Sequence, residues 1–141
     1  MSGSRYMSDG GQPGPPIKTI GESGIQASYG SDNPTLPPTN PWLHMYSIVT
    51  GKNFEGKVIE GDQMLSRLEA LRLYTINGAW FSRDEDKLGS IEAGKLADLV
   101  VLSDDFLDSA RVPDGAIKRL TSVLTIVGGR IVHDPRVLSI R

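Results

Sequence analysis

The sequence predicts an α/β region followed by a β region. Residues 17–82 combine stretches of helical spacing with one short apolar run at residues 25–29, an order typical of an α/β repeat. From residue 83 onward, short apolar runs of strand length are separated by turn residues instead. The charged link RDEDK at residues 83–87 marks the change, and we expect a boundary between layers or domains there.

The composition is that of a globular protein without a strong charge. The 141 residues are 38% hydrophobic and 23% charged, which suits one ordinary domain. The chain has 15 basic and 17 acidic residues, so its net charge is −2. Because it has no excess of positive charge, neither nucleic acid nor a membrane is an expected partner. No run of apolar residues suits a signal peptide or a membrane span, so we expect a soluble, cytoplasmic chain.

The first part of the chain is predicted to lead into a single strand. Residues 1–16 are rich in glycine and proline and are predicted to form an irregular arm. A short helix is predicted over residues 17–23, ended by Gly24 in a left-handed conformation. The strand predicted at residues 25–29 then runs into the turn that carries Asp32.

A second helix is predicted between Asn40 and Gly51. Asn40 can cap the helix, Pro41 suits its first position, and Gly51 can end it. At 3.6 residues per turn, one face of this helix is predicted to pack against the core. That face comprises Leu43, Tyr46, Val49 and Thr50.

A third helix is predicted to begin at Ser66. Ser66 and Glu69 have the spacing of a capping box, in which each residue binds the backbone amide of the other. The helix is predicted to continue to residue 76 and to stop at Asn77-Gly78.

Four strands are predicted in the second half, and the last two form the most distinct local feature. Gly128 and Gly129 join these two strands, and two glycines suit the positive φ angles of a hairpin turn. The four predicted strands are residues 88–92, 97–102, 122–127 and 130–133.

Asp32 is the strongest candidate for chemistry, because functional side chains of α/β repeats emerge at the carboxyl ends of strands. A carboxylate in this position can act as a general base. The alternative is an Asx turn that satisfies local amides ahead of Pro34. The chain contains no cysteine and only two histidines, His44 and His133, which leaves few other side chains to complete a site.

Four strings occur in a distinctive order and spacing along residues 16–132. They are GI at residues 24–25 leading to GSD at 30–32, EALRLYTINGA at 69–79, GSIEAGKLADLVVL at 89–102, and TIVGGRIV at 125–132. Together they resemble the carboxyl-terminal part of the metal-dependent amidohydrolase superfamily, in its amidohydrolase 3 branch.

The resemblance implies a particular fold. Members of this family have a (β/α)8 barrel beside a small β-sandwich that both chain ends build. By this resemblance, residues 17–82 correspond to the last strand and terminal helices of the barrel. Residues 83–141 correspond to the carboxyl-terminal part of the sandwich.

The resemblance also implies a hydrolase of carbon–nitrogen bonds other than peptide bonds, acting on small amides or cyclic amides. Asp32 then corresponds to the family's acidic residue at the end of the eighth strand, a general base beside metal-bound water and itself a potential metal ligand. Asn33 and Trp42 are predicted to lie near the substrate.

The expected cofactor of the full-length enzyme is a divalent metal, zinc in the first place. The family's His-x-His pair and its later metal-binding histidines have no counterpart in this sequence. Because catalytic zinc takes three protein ligands, this chain alone is expected to bind no metal. Two functional classes stay open: a hydrolase fragment that is inactive alone, or a non-catalytic truncated module or subunit that a partner chain completes.

Other motifs have plainer interpretations. His44 could face the substrate pocket, but it is predicted to be a packed or solvated side chain, and His133 is predicted to be structural or exposed. Residues 89–95 imitate the phosphate-binding pattern GxxxxGK, but Leu96 replaces the Ser or Thr that would hold magnesium, so we expect a turn. The acidic runs at residues 84–86 and 104–105 are predicted to be solvated, and Tyr46, Trp80 and Phe81 are predicted to pack.

Overall fold

A computed structural model describes residues 15–30 and 40–134 of the chain. Helices precede strands, with one 3₁₀ helix between the first two strands. The elements are α1 (Ile17–Glu22), α2 (Pro41–Thr50), α3 (Arg67–Tyr74), α4 (Ile76–Ser82), β1 (Leu99–Leu102), the 3₁₀ helix (Asp114–Arg119), β2 (Ser122–Val127) and β3 (Arg130–His133).

The predicted ends of α1 and α2 are confirmed. Gly24 has φ +78° directly after α1. At the start of α2, the Asn40 side chain accepts a hydrogen bond from the Trp42 amide at 3.0 Å. Gly51 ends α2 with φ +64°, and a Cβ atom there would lie 2.5 Å from the carbonyl oxygen of Glu60. Glycine at 51 is therefore required both by conformation and by the close approach of the backbone.

The start of α3 is confirmed, but its predicted end is wrong. The Ser66 amide donates to the Glu69 carboxylate at 2.8 Å, and the Glu69 amide donates to Ser66 Oγ at 3.3 Å, which completes the capping box. The helix then ends at Tyr74, and Thr75 interrupts it with φ −120° and ψ −93°. The Thr75 hydroxyl donates to the Leu71 carbonyl at 2.9 Å.

A second helix, α4, runs through the predicted stop at Asn77-Gly78. The Asn77 side chain donates to the Ala27 carbonyl at 2.7 Å, so it makes a contact 50 residues away instead of terminating a helix. The actual end is at Arg83, which adopts φ +62°. Local sequence preference gives way here to a tertiary hydrogen bond.

Two predicted strands are wrong. Residues 25–29 have no strand assignment, because no other described segment pairs with them, and a strand needs a ladder of backbone hydrogen bonds. Residues 88–90 bend instead, and residues 91–92 are irregular. The Lys95 ammonium folds this segment over itself by donating to the carbonyls of Glu85 at 2.7 Å and Leu88 at 3.3 Å.

The other three strands form an antiparallel sheet in the order β1-β2-β3. The last two were predicted with correct bounds, and β1 begins at residue 99 rather than 97. Gly128 and Gly129 have φ +55° and +78°, as predicted for the hairpin. The Asp98 carboxylate accepts from the Gly128 amide at 2.6 Å, which ties the hairpin turn to the start of β1.

The core lies between α2 and the chain that connects β1 to β2. Arg67 fixes α3 to that same connection, since its guanidinium donates to the carbonyls of Phe106 at 2.7 Å and Val112 at 2.6 Å. The core therefore takes residues from both sides of residue 83. Its buried members are Trp42, Met45, Tyr46, Phe106, Val112, Ile117 and Leu120.

The predicted packing face of α2 is correct at Tyr46, which is buried, and at Val49, which packs against the core, but it misses buried residues of other faces. Leu43, Val49 and Thr50 are only half-buried, whereas Met45 and Ile48 are buried, because α2 is covered on more than one side. The prediction that the aromatic residues of α4 pack is wrong. Trp80 and Phe81 are both exposed.

Candidate functional site

The predicted site residues fall into two groups. Asp32 and Asn33 lie outside the described residues, which stop at Gly30 and resume at Asn40. Trp42 is buried in the core, and its ring centre lies 6.0 Å from that of Phe106. The described part of the site is therefore the pair of chain ends that flank residues 31–39.

Tyr29 anchors the chain just before this segment. Its amide donates to the Leu73 carbonyl at 3.3 Å, and two residues earlier the Ala27 carbonyl accepts from Asn77. The ring of Tyr29 lies 5.9 Å from that of His44 and 5.8 Å from that of Tyr74. Backbone and side chain together hold the end of residues 25–30 against α2 and α3.

His44 belongs to this aromatic cluster and is buried, which is one of the two environments predicted for it. Its Nδ1 lies 2.9 Å from the Tyr74 hydroxyl oxygen, and its ring centre is 6.1 Å from that of Phe54. Tyr29 precedes residues 31–39 and His44 follows them. Their contact therefore brings the two ends of that segment together.

Burial controls the protonation of the two tyrosines. It raises the pKa of Tyr74, and the neighbouring Tyr29 raises it further. Burial also raises the pKa of Tyr29, with a smaller contribution from the negative charge of Glu60. Both hydroxyls stay protonated at neutral pH, so Tyr74 can donate to His44 when Nδ1 carries no proton.

Sequence reasoning missed the roles of Tyr29 and Tyr74. Tyr74 lies 30 residues from His44 in the sequence, and short-range sequence patterns do not predict a contact between residues so far apart. One signal was available, because Tyr29 is a large side chain placed directly before a Gly-Ser-Asp turn. Such a residue is well placed to hold the turn to the fold.

A cleft of about 250 Å³ lies between residues 25–29, α1 and α3, and Tyr29 also lines it. Its wall is mainly aliphatic, and the side chains of Glu69, Arg72 and Asn77 supply polar groups. The aliphatic members are Ile17, Ile20, Ile25, Ala27, Leu65 and Leu73.

The described residues do not fit a metal site. Within residues 15–30 and 40–134, no group of three or more His, Asp or Glu side chains is arranged to hold a metal ion. His44 is packed among aromatic rings, and His133 is exposed on β3, as predicted. A catalytic zinc site needs three protein ligands, and this part of the chain does not supply them.

The phosphate-loop imitation is a structural turn, as predicted. Lys95, which occupies the position of the phosphate-binding lysine, donates to Ser90 Oγ at 2.7 Å and lies 3.7 Å from the Glu92 carboxylate. Residues 96–98 have no helix assignment, and β1 begins at Leu99. The lysine is thus engaged inside its own loop.

The acidic runs are only partly solvated. Asp104 pairs with Arg111 at 3.0 Å, and Asp84 lies 3.3 Å from Lys87.

Among the described residues, no helix is long and apolar enough to cross a bilayer.

Comparison with known proteins finds one matching protein family and individual proteins with similar sequences. A model of the family described as "Amidohydrolase family" matches residues 1–133. The N-substituted formamide deformylase of Arthrobacter pascens is 36% identical over 119 residues, which are 84% of this chain and 21% of that protein. The 5-methylthioadenosine/S-adenosylhomocysteine deaminase of Thermoanaerobacter pseudethanolicus is 33% identical over 91 residues, 64% of this chain and 20% of that protein.

A solved structure shares the fold. The crystal structure of an amidohydrolase from Thermotoga maritima MSB8 matches with a TM-score of 0.59 at 22% identity, covering 84% of this chain and 26% of that one. The chain spans about a fifth of the length of the two curated relatives and about a quarter of this structure.

Proposed function

We propose, since this chain belongs to the amidohydrolase family, that it forms the carboxyl-terminal part of a hydrolase of carbon–nitrogen bonds other than peptide bonds. The substrates proposed are small amides or cyclic amides. The family match over residues 1–133 includes Asp32. The names of the two relatives, a formamide deformylase and a deaminase, both describe the loss of a group at a carbon–nitrogen bond.

The observation that carries the proposal is the anchoring of the chain directly before Asp32. The backbone is bonded at Ala27 and at Tyr29, and the Tyr29 ring packs against His44 and Tyr74. A general base has to be held in place to act efficiently. Because Tyr29, three residues before Asp32, is held in place, the positions open to the Asp32 carboxylate are restricted.

The role proposed for Asp32 is proton transfer. Its carboxylate takes a proton from the attacking water and returns it to the leaving nitrogen. Asp suits this role because it is ionised at neutral pH and its side chain is short. Asn33 is proposed to lie beside the substrate, and Trp42, buried against Phe106, is proposed to fix the start of α2 next to it.

The metal of the full-length enzyme is proposed to depend on ligands outside the described residues. A divalent ion, zinc by preference, is expected there with Asp32 as one ligand. This chain alone is expected to hold none and to be inactive. Stoichiometric zinc in the purified chain, with amide turnover that Asp32→Asn abolishes, would contradict that expectation.

The second candidate is a non-catalytic module or a subunit that a partner chain completes. The observation that favours it is the cleft beside residues 25–29, whose aliphatic wall is open in this structure. The two candidates differ in whether Asp32 affects turnover once the rest of an amidohydrolase is present.

The deciding experiment is a chimera. This chain replaces the matching fifth of the Arthrobacter pascens deformylase, and formamide hydrolysis is measured with Asp32 or Asn at position 32. We expect kcat to fall by about 10²- to 10⁴-fold in Asp32→Asn, the range lost with a general base. Asp86→Asn, which alters an exposed carboxylate in a turn, is the matched control and should leave kcat unchanged. Equal turnover by the Asp32→Asn chimera would overturn the assignment.

A further inference from the structure

We infer that Tyr74 is a positioning residue for Asp32, acting through His44 and Tyr29. These two residues flank the segment that carries Asp32, residues 31–39, on either side. The inference rests on the proposed function, because a positioning role requires that the Asp32 carboxylate take part in the reaction. It goes beyond that function by assigning a role to a side chain at the end of α3.

The last two residues of α3 each contact one of these flanks. The Leu73 carbonyl accepts a hydrogen bond from the Tyr29 amide at 3.3 Å, which fixes the backbone before the segment. The Tyr74 hydroxyl oxygen lies 2.9 Å from His44 Nδ1, which fixes a side chain after the segment. Because Leu73 and Tyr74 are adjacent, the same turn of α3 holds both flanks.

The interruption of the helix after Tyr74 makes the first of these contacts possible. Thr75 has φ −120° and ψ −93°, so α3 ends at Tyr74. The last four carbonyl groups of an α-helix have no partner within the helix, and the Leu73 carbonyl is one of them. It is therefore available to the Tyr29 amide.

The hydrogen bond between Tyr74 and His44 joins two rings that both lie close to Tyr29. The Tyr29 ring centre is 5.8 Å from that of Tyr74 and 5.9 Å from that of His44. His44 is only 3% exposed, so water has little access to replace the Tyr74 hydroxyl at Nδ1. Loss of that hydroxyl should therefore loosen the hold of both rings on Tyr29.

The alternative is that Tyr74 serves only to pack. Its side chain does pack against the hydrophobic core. A packing role depends on the ring, whereas the positioning role depends on the hydroxyl. Tyr74→Phe separates the two, because it keeps the ring and removes the contact with His44.

A double-mutant cycle in the deformylase chimera tests the inference. Tyr74→Phe should lower kcat for formamide hydrolysis at least about tenfold and change KM less than about threefold, because a displaced general base slows the reaction without removing substrate contacts. In the Asp32→Asn chimera, Tyr74→Phe should lower kcat by less than about twofold, since the group that it positions is already absent. Equal losses in both backgrounds would overturn the inference.

Tyr46→Phe is the matched control for this cycle. Tyr46 is also buried and lies on α2, and no hydrogen bond to its hydroxyl is found within residues 15–30 and 40–134. The control should keep kcat within about twofold of the unchanged chimera. Urea unfolding of each variant establishes that the rates refer to folded protein.

Hydrogen–deuterium exchange in the 141-residue chain gives a second measurement that does not need the chimera. The Tyr29 amide should exchange at least about fivefold faster in Tyr74→Phe than in the unchanged chain, while the amides of β2 keep their rates. Tyr46→Phe should leave the Tyr29 amide unchanged. Equal exchange of this amide in Tyr74→Phe and in the unchanged chain would overturn the inference.

The outcomes separate this inference from the proposed function. Loss of turnover in Asp32→Asn with full turnover in Tyr74→Phe keeps the proposed function and overturns the positioning role. Full turnover in Asp32→Asn overturns the proposed function, and the positioning role with it. A loss in Tyr74→Phe that occurs only where Asp32 is present supports both.

Discussion

The helical core and the three-stranded sheet are stabilised in different ways. Side chains dominate in the core, where α2 and the 3₁₀ helix bury Trp42, Tyr46 and Ile117. Backbone hydrogen bonds dominate in the sheet, where β3 is exposed at all four residues, including Ile131 and Val132. Strands can therefore be joined by backbone hydrogen bonds, here with an irregular register in both pairs, while apolar side chains on the sheet stay exposed.

Residues 25–30 represent a third condition, in which neither form of stabilisation is complete. Their side chains are partly covered by the aromatic cluster and by α3, but most of their backbone lacks partners in the described chain. Substitutions in regions with more complete contacts are therefore expected to lower the free energy of unfolding by more than substitutions in regions with fewer contacts.

The largest effect is expected from a cavity in the core. Ile117 is 0% exposed, so Ile117→Ala should lower the free energy of unfolding by about 2 to 5 kcal/mol. Ile131→Ala, the same change on the uncovered sheet, should alter it by less than about 0.5 kcal/mol. Urea unfolding of both variants gives the measurement. Equal losses would show that the sheet face is covered in solution.

The next effect is expected at Arg67, which joins α3 to the core. Arg67→Met should cost about 2 to 3 kcal/mol, because two carbonyls and the Asp114 carboxylate lose their donor. Arg111→Met removes an exposed ion pair with Asp104 and should cost less than about 1 kcal/mol. Both are measured by urea unfolding, and a reversed order would contradict the proposed anchoring.

A smaller effect is expected in the aromatic cluster beside the candidate site. Tyr74→Phe removes the hydroxyl that contacts His44 and should cost about 1 kcal/mol. Tyr46 is also buried, but no hydrogen bond to its hydroxyl is found among the described residues, so Tyr46→Phe is the control. If both variants melt alike, the contact between Tyr74 and His44 does not hold the cluster together.

An effect no larger than that of Tyr74→Phe is expected at the capping box, and it should depend on pH. Ser66→Ala should cost about 1 kcal/mol at pH 7. Hydrogen bonds from Ser66 hold the pKa of Glu69 below its usual range. A lowered folded-state pKa contributes stability above the unfolded-state pKa, and that contribution is lost as the pH falls through the folded-state pKa.

The difference between Ser66→Ala and the unchanged chain should therefore shrink below about pH 4. Thermal unfolding between pH 3 and pH 7 measures it. Ser82→Ala removes a serine whose hydroxyl donates to a carbonyl, that of Ala79, so its effect should not change with pH. A pH-independent loss in Ser66→Ala would show that the Glu69 side chain takes no part in the cap.

The sequence predicted features whose chemistry is local. Asn40, Gly51 and Ser66 mark helix ends that the structure confirms, since capping depends on residues within one turn. The Gly128-Gly129 hairpin was predictable for the same reason. The family was predictable because its strings occur at fixed places along the chain, and the match over residues 1–133 confirms it.

Features that depend on distant partners were not predictable. Residues 25–29 have the composition of a strand, yet a strand forms only where another segment pairs with it. The Asn77 side chain, inside α4, donates to the carbonyl of Ala27, which lies 50 residues away. The catalytic role of Asp32 stays a prediction, as does the placement of Asn33.

By itself, the sequence determined the family, the helix caps, the hairpin and the shortage of metal-binding side chains, because each follows from residue type and short spacing. The tertiary structure decided which side chains of α2 are buried, how Tyr29, His44 and Tyr74 meet, and that residues 25–29 pair with no other strand among the described residues. These follow from contacts between segments far apart in the chain, and such contacts exist only once the chain has folded.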